Sequence, residues 1–193
     1  MPADAMRSYI DLRLRPDSEM ARHQLMNALF GRLHIALVQT ARQDIGVSFP
    51  EHDDRRPTLG AVLRLHGSDA ALDALQATGW LRRFDDYLTV QPRAAAPEGC
   101  SYRVVSRVQA KSGVDRLRRR AMKRHGYSAD EAAQRIPDSA QELLALPFVT
   151  IGSISTRQPS FRLFVRHGPL QREATEGHFS SYGLSAEATV PWF

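Results

Sequence analysis

The sequence predicts an α+β protein of two domains. In the N-terminal half, segments with alternating apolar and polar side chains are interspersed with longer segments whose apolar residues recur every three or four positions. A stretch rich in Pro, Ala and Gly follows at residues 91–101, and further helices and strands come after it. We therefore expect one domain over residues 1–95 and a second α+β domain over residues 96–193.

The N-terminal elements come in the order β-α-β-β-α-β, which is the order of a ferredoxin-like domain. Apolar and polar residues alternate over residues 9–15, as in a strand that exposes one face to solvent. Pro16, Asp17 and Ser18 then open a long helix with an apolar stripe, and Ser68 starts a second helix that extends to about Ala77. The other strands predicted in this half are residues 45–49, 61–66 and 87–91.

The C-terminal half is predicted to begin with a basic helix over about residues 113–125, which Ser112 opens and Gly126 ends. A short helix follows from Ser128 to Pro137, and another begins at Asp138. The strands predicted after them are residues 148–155, 161–167, 178–184 and 189–193.

The basic helix concentrates the positive charge of the chain. Cys100 to His125 contain nine Lys or Arg and one acidic residue, whereas the whole chain has a formal net charge of only +5. Helical spacing puts five of these cations on one face, without acidic i+4 partners among them. They are Arg116, Arg119, Arg120, Lys123 and Arg124. A solvated helix face is the alternative, but the missing acids favour binding to nucleic acid.

Composition excludes several other classes. No apolar run approaches the roughly 20 residues of a membrane span, and the N-terminus lacks the apolar core of a signal peptide, so a cytoplasmic location is expected. Cys100 is the only cysteine, which excludes an internal disulfide and a thiolate metal cluster. The seven histidines are scattered and form no His-x-x-x-His pair beside a carboxylate. We therefore expect neither a metal site nor a cofactor.

Four residues stand out as candidates for chemistry, each with a structural alternative. His34 lies about 80° from the centre of the apolar stripe of the first helix, where a ring can pack on one side and reach a ligand on the other. Ser153 and Ser155 stand at a predicted strand end, as turn residues do. Tyr182 is equally explained as a strand aromatic with its hydroxyl in water.

Ten segments, in one order and with nearly constant spacing, carry a resemblance to a known family. They are Tyr9–Pro16, Leu29–His34, Ile45–Pro50, Val105–Ser112, Arg116–His125, Ile136–Asp138, Leu146–Thr150, Phe161–Leu170, Tyr182–Ser185 and Val190–Phe193. With them the chain resembles the CRISPR-associated endoribonucleases of type I-F systems, which cut precursor CRISPR RNA at the 3′ base of a repeat hairpin.

The resemblance implies catalytic roles. His34 matches the family's catalytic histidine, Ser153 its active-site serine, and Tyr182 the tyrosine that positions the histidine. We expect His34 to take the proton of the RNA 2′-hydroxyl, without a metal, because histidine suits this role near neutral pH. The products would carry a 2′,3′-cyclic phosphate and a 5′-hydroxyl.

The resemblance also implies an RNA-binding surface. Arg107 and Gln109 match the pair that reads bases at the foot of the stem, and Phe161 matches an aromatic near the cleavage site. The other residues expected at RNA are Arg116, Arg119, Arg120, Lys123, Arg124, His125 and Ser155. The product would stay bound, and the other subunits of the type I-F surveillance complex would be protein partners. A non-cleaving hairpin-binding subunit and a binder of duplex DNA are the alternatives.

Overall fold

A computed structural model of the protein describes residues 6–109, 114–137, 145–152 and 160–193, apart from the side chains of residues 115 and 116. The chain divides into two compact units, of which the first combines Met1–Val108 with Leu146–Phe193 and the second is Gln109–Ala145. Among the described residues no helix has the length and apolar character needed to cross a membrane. The domain boundary expected at residue 95 stays a prediction.

The first unit contains an antiparallel sheet built from the N-terminal half. Its strands are β1 (Ser8–Leu14), β2 (Gly46–Ser48), β3 (Val62–Gly67), β4 (Leu88–Val90) and β5 (Ala94–Ala95). They lie in the order β2-β3-β1-β4, and β5 also pairs with β1. The helices α1 (Arg22–Thr40) and α2 (Asp69–Ala77) connect them. In the sheet centre Leu12 faces Leu63, and both side chains are fully buried.

Helix α1 buries one face and brings His34 to the border of that face. Helix α1 begins later than predicted, at Arg22 rather than at residues 16–18. The Asp17 carboxylate instead accepts two backbone N–H groups in a turn that precedes the helix. The buried face consists of Leu25, Met26, Leu29, Phe30, Leu33, Ala36 and Leu37. His34 itself is half-buried, as its position beside this stripe predicts.

A second antiparallel sheet completes the first unit. Its strands are β6 (Ser101–Val108), β7 (Phe148–Ile151), β8 (Phe161–Gln171) and β9 (Thr189–Trp192), in the order β7-β8-β6-β9. The Asn27 side chain of α1 accepts the N–H of Thr150 in β7 at 2.9 Å, so α1 contacts this sheet as well. Apolar side chains of both sheets and of α1 form one core.

The second unit contains the basic helix α3 (Val114–His125) and the short helix α4 (Ala129–Arg135). Ser128 and Glu131 form the predicted capping box at the start of α4, which is confirmed. Gly126 ends α3 with φ +71°, as predicted. Within this unit Val114 and Ala132 are buried, and the Arg118 Nε donates to the Ile136 carbonyl at 2.9 Å.

Three interpretations of the C-terminal half differ from the structure. Residues 178–184 are not a strand, because Gly183 has φ +68° and its N–H donates to the Ser180 carbonyl at 2.8 Å in a tight turn. The stretch at residues 91–101 is not only a linker, since β5 lies within it. Strand β6 was not predicted. The helix predicted from Asp138 begins outside the described residues.

A buried guanidinium joins the first sheet to the end of β9. The Arg64 Nε and Nη2 donate to the two Asp11 carboxylate oxygens at 2.6 and 2.8 Å. The Arg64 Nη1 donates to the Phe193 carbonyl at 3.3 Å, and the Arg64 guanidinium carbon lies 4.0 Å from the centre of the Phe193 ring. A buried charge without its partner would be costly, so these contacts hold Phe193 in place.

His66 is a second polar group inside the first sheet. It is fully buried on β3, and its Nε2 lies 2.8 Å from the Ser48 hydroxyl oxygen on β2. Burial, with the charge of Arg64 as the smaller cause, lowers the pKa of His66 from its usual 6.5 to about 3. Between pH 6.5 and about 3, His66 is therefore neutral in the folded protein, whereas the same histidine is protonated in the unfolded chain.

Acid should therefore destabilise the fold through His66. The contribution of neutral His66 to the free energy of unfolding is fully present above pH 6.5. It declines as the pH falls toward 3, by about 1.4 kcal/mol per pH unit. Between pH 7.5 and 5.0 we expect the wild type to lose about 2 kcal/mol more unfolding free energy than His66→Gln, whose amide does not titrate. Urea unfolding at both pH values measures this. Equal losses in the two proteins would contradict the assignment.

Candidate active site

The His34 imidazole is oriented by a main-chain carbonyl. Its Nδ1 lies 2.9 Å from the carbonyl oxygen of Ser181. A carbonyl oxygen can only accept a hydrogen bond, so Nδ1 carries the proton and donates it. The other ring nitrogen, Nε2, then keeps its lone pair, because a neutral imidazole has one N–H. The His34 ring thus presents a basic nitrogen whose identity is set by the fold.

The Tyr182 ring fixes the plane of the His34 ring. The two rings are stacked, with 4.1 Å between their centres and 14° between their planes. Tyr182 is also parallel to the ring of Phe30, whose centre lies 6.4 Å away. Phe30 and His34 are one helical turn apart on α1 and so lie on the same side of that helix. Tyr182 therefore covers two successive turns of α1 and limits how far the imidazole can tilt.

The loop that carries Ser181 and Tyr182 is bonded to both sheets. We call residues 178–188 the Tyr182 loop. The Val47 N–H of β2 donates to the Gly183 carbonyl at 2.9 Å, and the Ser185 N–H donates to the Val105 carbonyl of β6 at 3.0 Å. These main-chain bonds hold the Ser181 carbonyl and the Tyr182 ring at defined positions over α1.

A cation and a second aromatic ring adjoin Tyr182. Arg107, exposed near the end of β6, has its guanidinium carbon 5.6 Å from the centre of the Tyr182 ring and 5.4 Å from that of Phe161. Both distances are within the range of cation–π attraction. Phe161 begins β8 and remains 37% exposed. An exposed ring and a guanidinium plane are surfaces on which unpaired bases stack.

Four of the five cations in the basic stripe predicted from the sequence are described on α3. Arg119, Arg120, Lys123 and Arg124 are exposed, whereas Val114 is buried. Their exposure brings the positive charges to the protein surface, where they can attract a polyanion. His125, at the end of the helix, is exposed and stacks on Tyr127 with 5.2 Å between ring centres.

Of the predicted site residues, the first unit brings together His34, Tyr182, Arg107 and Phe161. Gln109 is exposed, and it is the first residue of the second unit. Three of the predicted site residues lie outside the part of the chain that the structure describes, namely Ser153, Ser155 and, for its side chain, Arg116.

A separate group of potential metal ligands lies in the first unit. His52, Asp54 and His167 each offer one ligand atom, and these atoms lie within 4.8 Å of one another. The sequence predicted no metal site, because the ligands come from two distant segments with no motif spacing. Local spacing cannot detect such a group.

Two contributions to the His34 environment were also missed. The Ser181 group is a main-chain carbonyl, which every residue has, and so carries no sequence signal. Phe30 was recognised only as part of the apolar stripe of α1, not as a ring parallel to Tyr182. Both depend on the Tyr182 loop, which was interpreted as a strand.

Comparison with known proteins identifies relatives along almost the whole chain. The family model described as "CRISPR-associated protein (Cas_Csy4)" matches residues 9–193. A protein of Pseudomonas aeruginosa (strain UCBPP-PA14), "CRISPR-associated endonuclease Cas6/Csy4", is 54% identical over 188 residues, which cover 97% of this chain and 100% of the relative. A protein of the same name from Escherichia coli (strain UTI89 / UPEC) is 46% identical over 188 residues, with the same coverage.

Proposed function

The chain belongs to the Cas_Csy4 family of CRISPR-associated proteins of type I-F systems, and from that membership we propose that it is an endoribonuclease that binds the CRISPR repeat hairpin and cleaves precursor CRISPR RNA. Its relatives are named endonucleases, which supports nuclease activity in this chain. The observation that carries the proposal is the His34 imidazole, whose Nδ1 bond to the Ser181 carbonyl leaves Nε2 as a base.

In the proposed reaction the RNA supplies its own nucleophile. His34 Nε2 takes the proton of the 2′-hydroxyl, and the 2′ oxygen forms a bond to the adjacent phosphorus. The bond from phosphorus to the 5′ oxygen breaks, which leaves a 2′,3′-cyclic phosphate on one product and, after protonation, a 5′-hydroxyl on the other. No step requires a metal, since the nucleophile and the base are already in place.

The neighbours of His34 have separate roles in this proposal. Tyr182 holds the imidazole plane, which is supported by the stacking distance of 4.1 Å. Ser153 holds the 2′-hydroxyl, a role that rests on the family resemblance. Arg107, with Gln109, reads the bases at the foot of the stem, and Phe161 packs on a nucleotide near the cleavage site. The proximity of Arg107 to both aromatic rings supports a common binding surface there.

The basic helix α3 is proposed to bind the hairpin stem. The major groove of A-form RNA is deep and narrow, so long cationic side chains mostly meet phosphates in it. The residues proposed for these contacts are Arg116, Arg119, Arg120, Lys123, Arg124 and His125, together with Ser155. Because the stem is unchanged by the cut, the product stays bound, and the protein joins the other subunits of the surveillance complex on the guide RNA.

The residues proposed for cleavage and for RNA binding are distributed over the two proposed domains. We propose that residues 1–95 form a ferredoxin-like domain carrying His34, which the β-α-β-β-α-β order and the strand order β2-β3-β1-β4 support. Residues 96–193 are the proposed RNA-binding domain. Tyr182, Arg107 and Phe161 belong to its sequence range, so both domains contribute to the active site.

A modified substrate tests the proposed chemistry. The purified protein should cut its own repeat RNA in the presence of EDTA, and mass spectrometry should find a 2′,3′-cyclic phosphate. A single 2′-deoxy nucleotide upstream of the scissile phosphate should block cutting without weakening binding, because the nucleophile is missing. Cleavage of the deoxy substrate would reject the mechanism. An unmodified hairpin that is bound but not cut would favour the non-cleaving alternative.

The role of α3 is tested by the salt dependence of binding. Alanine at Arg119 or Arg120 should reduce the slope of log affinity against log salt concentration by about one unit each, if each cation neutralises one phosphate. Filter binding of the hairpin at several salt concentrations measures the slope. Arg22→Ala, at the exposed start of α1, is a matched control that should leave it unchanged. An unaltered slope after both substitutions on α3 would reject this surface.

A further inference from the structure

We propose that His52, Asp54 and His167 form a binding site for a divalent transition-metal ion, and that Zn²⁺ suits it best. His52 and Asp54 lie in the connection between β2 and β3, and His167 lies on β8. Two imidazoles and one carboxylate are a ligand set typical of zinc, which takes nitrogen and oxygen ligands in four-coordinate sites. A water molecule would complete the coordination.

The three ligand atoms are already close together. They lie within 4.8 Å of one another, whereas ligands of a tetrahedral zinc ion are about 3.4 Å apart at the usual bond lengths of 2.0–2.1 Å. The remaining difference is the size of a side-chain adjustment. The His52 and His167 rings are stacked, with 3.6 Å between their centres and 21° between their planes. Rotation of the His167 ring, whose nitrogens have no hydrogen-bond partner among the described residues, would turn one of them toward an ion held by His52.

His167 provides the strongest reason to expect a ligand. The residue is 7% exposed, and among the described residues neither of its ring nitrogens has a hydrogen-bond partner. Buried polar groups are nearly always satisfied by protein, water or an ion, so a histidine with two unpartnered nitrogens needs explanation. A coordinated metal ion satisfies the nitrogen that faces His52 and Asp54.

His52 has the second contact that zinc-binding histidines usually show. Its Nδ1 lies 3.0 Å from the Phe49 carbonyl oxygen. Since the carbonyl only accepts, Nδ1 bears the proton, and Nε2 has the lone pair that can bind a metal. A ligating histidine almost always donates its other N–H to a carbonyl or carboxylate, which fixes its tautomer and orientation. His52 is therefore prepared to bind a metal through Nε2.

Charge and access around the group are also suitable. Asp54 is exposed, so a hydrated ion can approach from solvent, and its carboxylate supplies negative charge. Arg103 is a nearby cation whose charge opposes that of a metal ion, and the Asp54 carboxylate offsets it. The Arg103 Nε donates to the Gly168 carbonyl, and its guanidinium carbon lies 4.6 Å from the centre of the Trp192 ring. The centre of the Trp192 ring lies 5.3 Å from that of His52 and 5.6 Å from that of His167, both in edge-on arrangements. Trp192 thus forms an apolar wall beside the two imidazoles.

A bound ion would connect the two sheets of the first unit. His52 and Asp54 belong to a loop of the first sheet, and His167 belongs to the second sheet. Because the three ligands are assembled only in the folded protein, an ion that binds them stabilises that state by mass action. The structure thus assigns the site a stabilising role, separate from the proposed chemistry of His34.

Zinc binding to the tag-free full chain tests the proposal. After EDTA treatment and its removal by dialysis, isothermal titration with ZnCl₂ should give one ion per chain. Zinc should raise the melting temperature, and Co²⁺ should give the visible absorption of a four-coordinate site. His52→Gln and Asp54→Asn should each weaken zinc binding by at least about 100-fold, the upper end of what even outer-shell changes cause.

A histidine elsewhere provides the control. His23 is exposed on α1, so His23→Gln should bind zinc as the wild type does. Asp54→Asn changes an exposed side chain, and its circular dichroism should match the wild type, so lost binding cannot be ascribed to misfolding. Absence of zinc binding in the wild type would overturn the proposal. So would wild-type affinity in His52→Gln and Asp54→Asn, or an equal loss in His23→Gln.

Discussion

Replacing His34 by alanine should reduce cleavage of the repeat hairpin by roughly 10²- to 10⁴-fold or more, the contribution that a positioned general base makes. The reason lies in the fixed tautomer: the Ser181 carbonyl holds the proton on Nδ1, and alanine removes the Nε2 lone pair that we propose accepts the 2′-hydroxyl proton. Single-turnover cleavage of labelled hairpin measures the effect. Hairpin affinity should stay within a few-fold, because the proposed phosphate contacts lie on α3.

Two further measurements separate lost chemistry from lost structure. His23→Ala, on the exposed part of the same helix, should cleave at the wild-type rate. Added imidazole should restore part of the activity of His34→Ala, since alanine leaves room beside the Tyr182 ring. Full cleavage by His34→Ala would mean that another group acts as the base. A large loss of affinity would mean that His34 mainly supports the binding surface.

Replacing Gly183 by alanine should destabilise the fold and impair cleavage together. Gly183 has φ +68°, a conformation that costs a residue with a Cβ about 1–2 kcal/mol. Its added Cβ would also lie 2.6 Å from the Val47 Cγ1, so the Tyr182 loop or β2 must move. Such a shift displaces the Ser181 carbonyl and the Tyr182 ring that orient His34.

Gly99 offers a matched control for this prediction. It has a similar φ of +70°, but a Cβ there would meet no atom within 4 Å. Gly99→Ala therefore carries the backbone strain without the overlap, and cleavage should be unchanged. Urea unfolding should show a larger loss of unfolding free energy for Gly183→Ala than for Gly99→Ala. Equal losses and normal cleavage in both would show that the Tyr182 loop tolerates the shift.

Local sequence patterns predicted many of the helices and strands because such elements depend largely on interactions between residues that are close in sequence. Helix α2 begins after the predicted Ser68 cap and ends at the predicted Ala77, since capping and apolar spacing are properties of neighbouring residues. Strand β6 was missed because β8 and β9, its pairing partners on both sides, lie far along the chain. Its own side chains are mostly half-buried, so they give no clear alternation.

The candidate site was predictable only in part for the same reason. His34 was placed at the edge of its helix by spacing alone, and its half-buried state agrees with that. Its contact with the Tyr182 loop spans 147 residues of sequence. Residues 178–184 of that loop were predicted as a strand because apolar and polar residues mix there. The roles of Arg107 and Phe161 came from family resemblance, and their proximity to Tyr182 became visible only in the structure.

The division of the first unit into two stretches of chain has a consequence for biosynthesis. Strand β6 ends at Val108, and its partners β8 and β9 are made only after the whole second unit. During translation both edges of β6 therefore wait unpaired, while the short helices α3 and α4 can form early from local contacts. The Tyr182 loop follows β8 in the chain, so His34 acquires its orienting carbonyl only after residue 181 has been made. A ribosome that stalls before residue 181 would leave a chain in which the Ser181 carbonyl and the Tyr182 ring cannot orient His34, and in which the β9 side of β6 is an unpaired edge prone to aggregation.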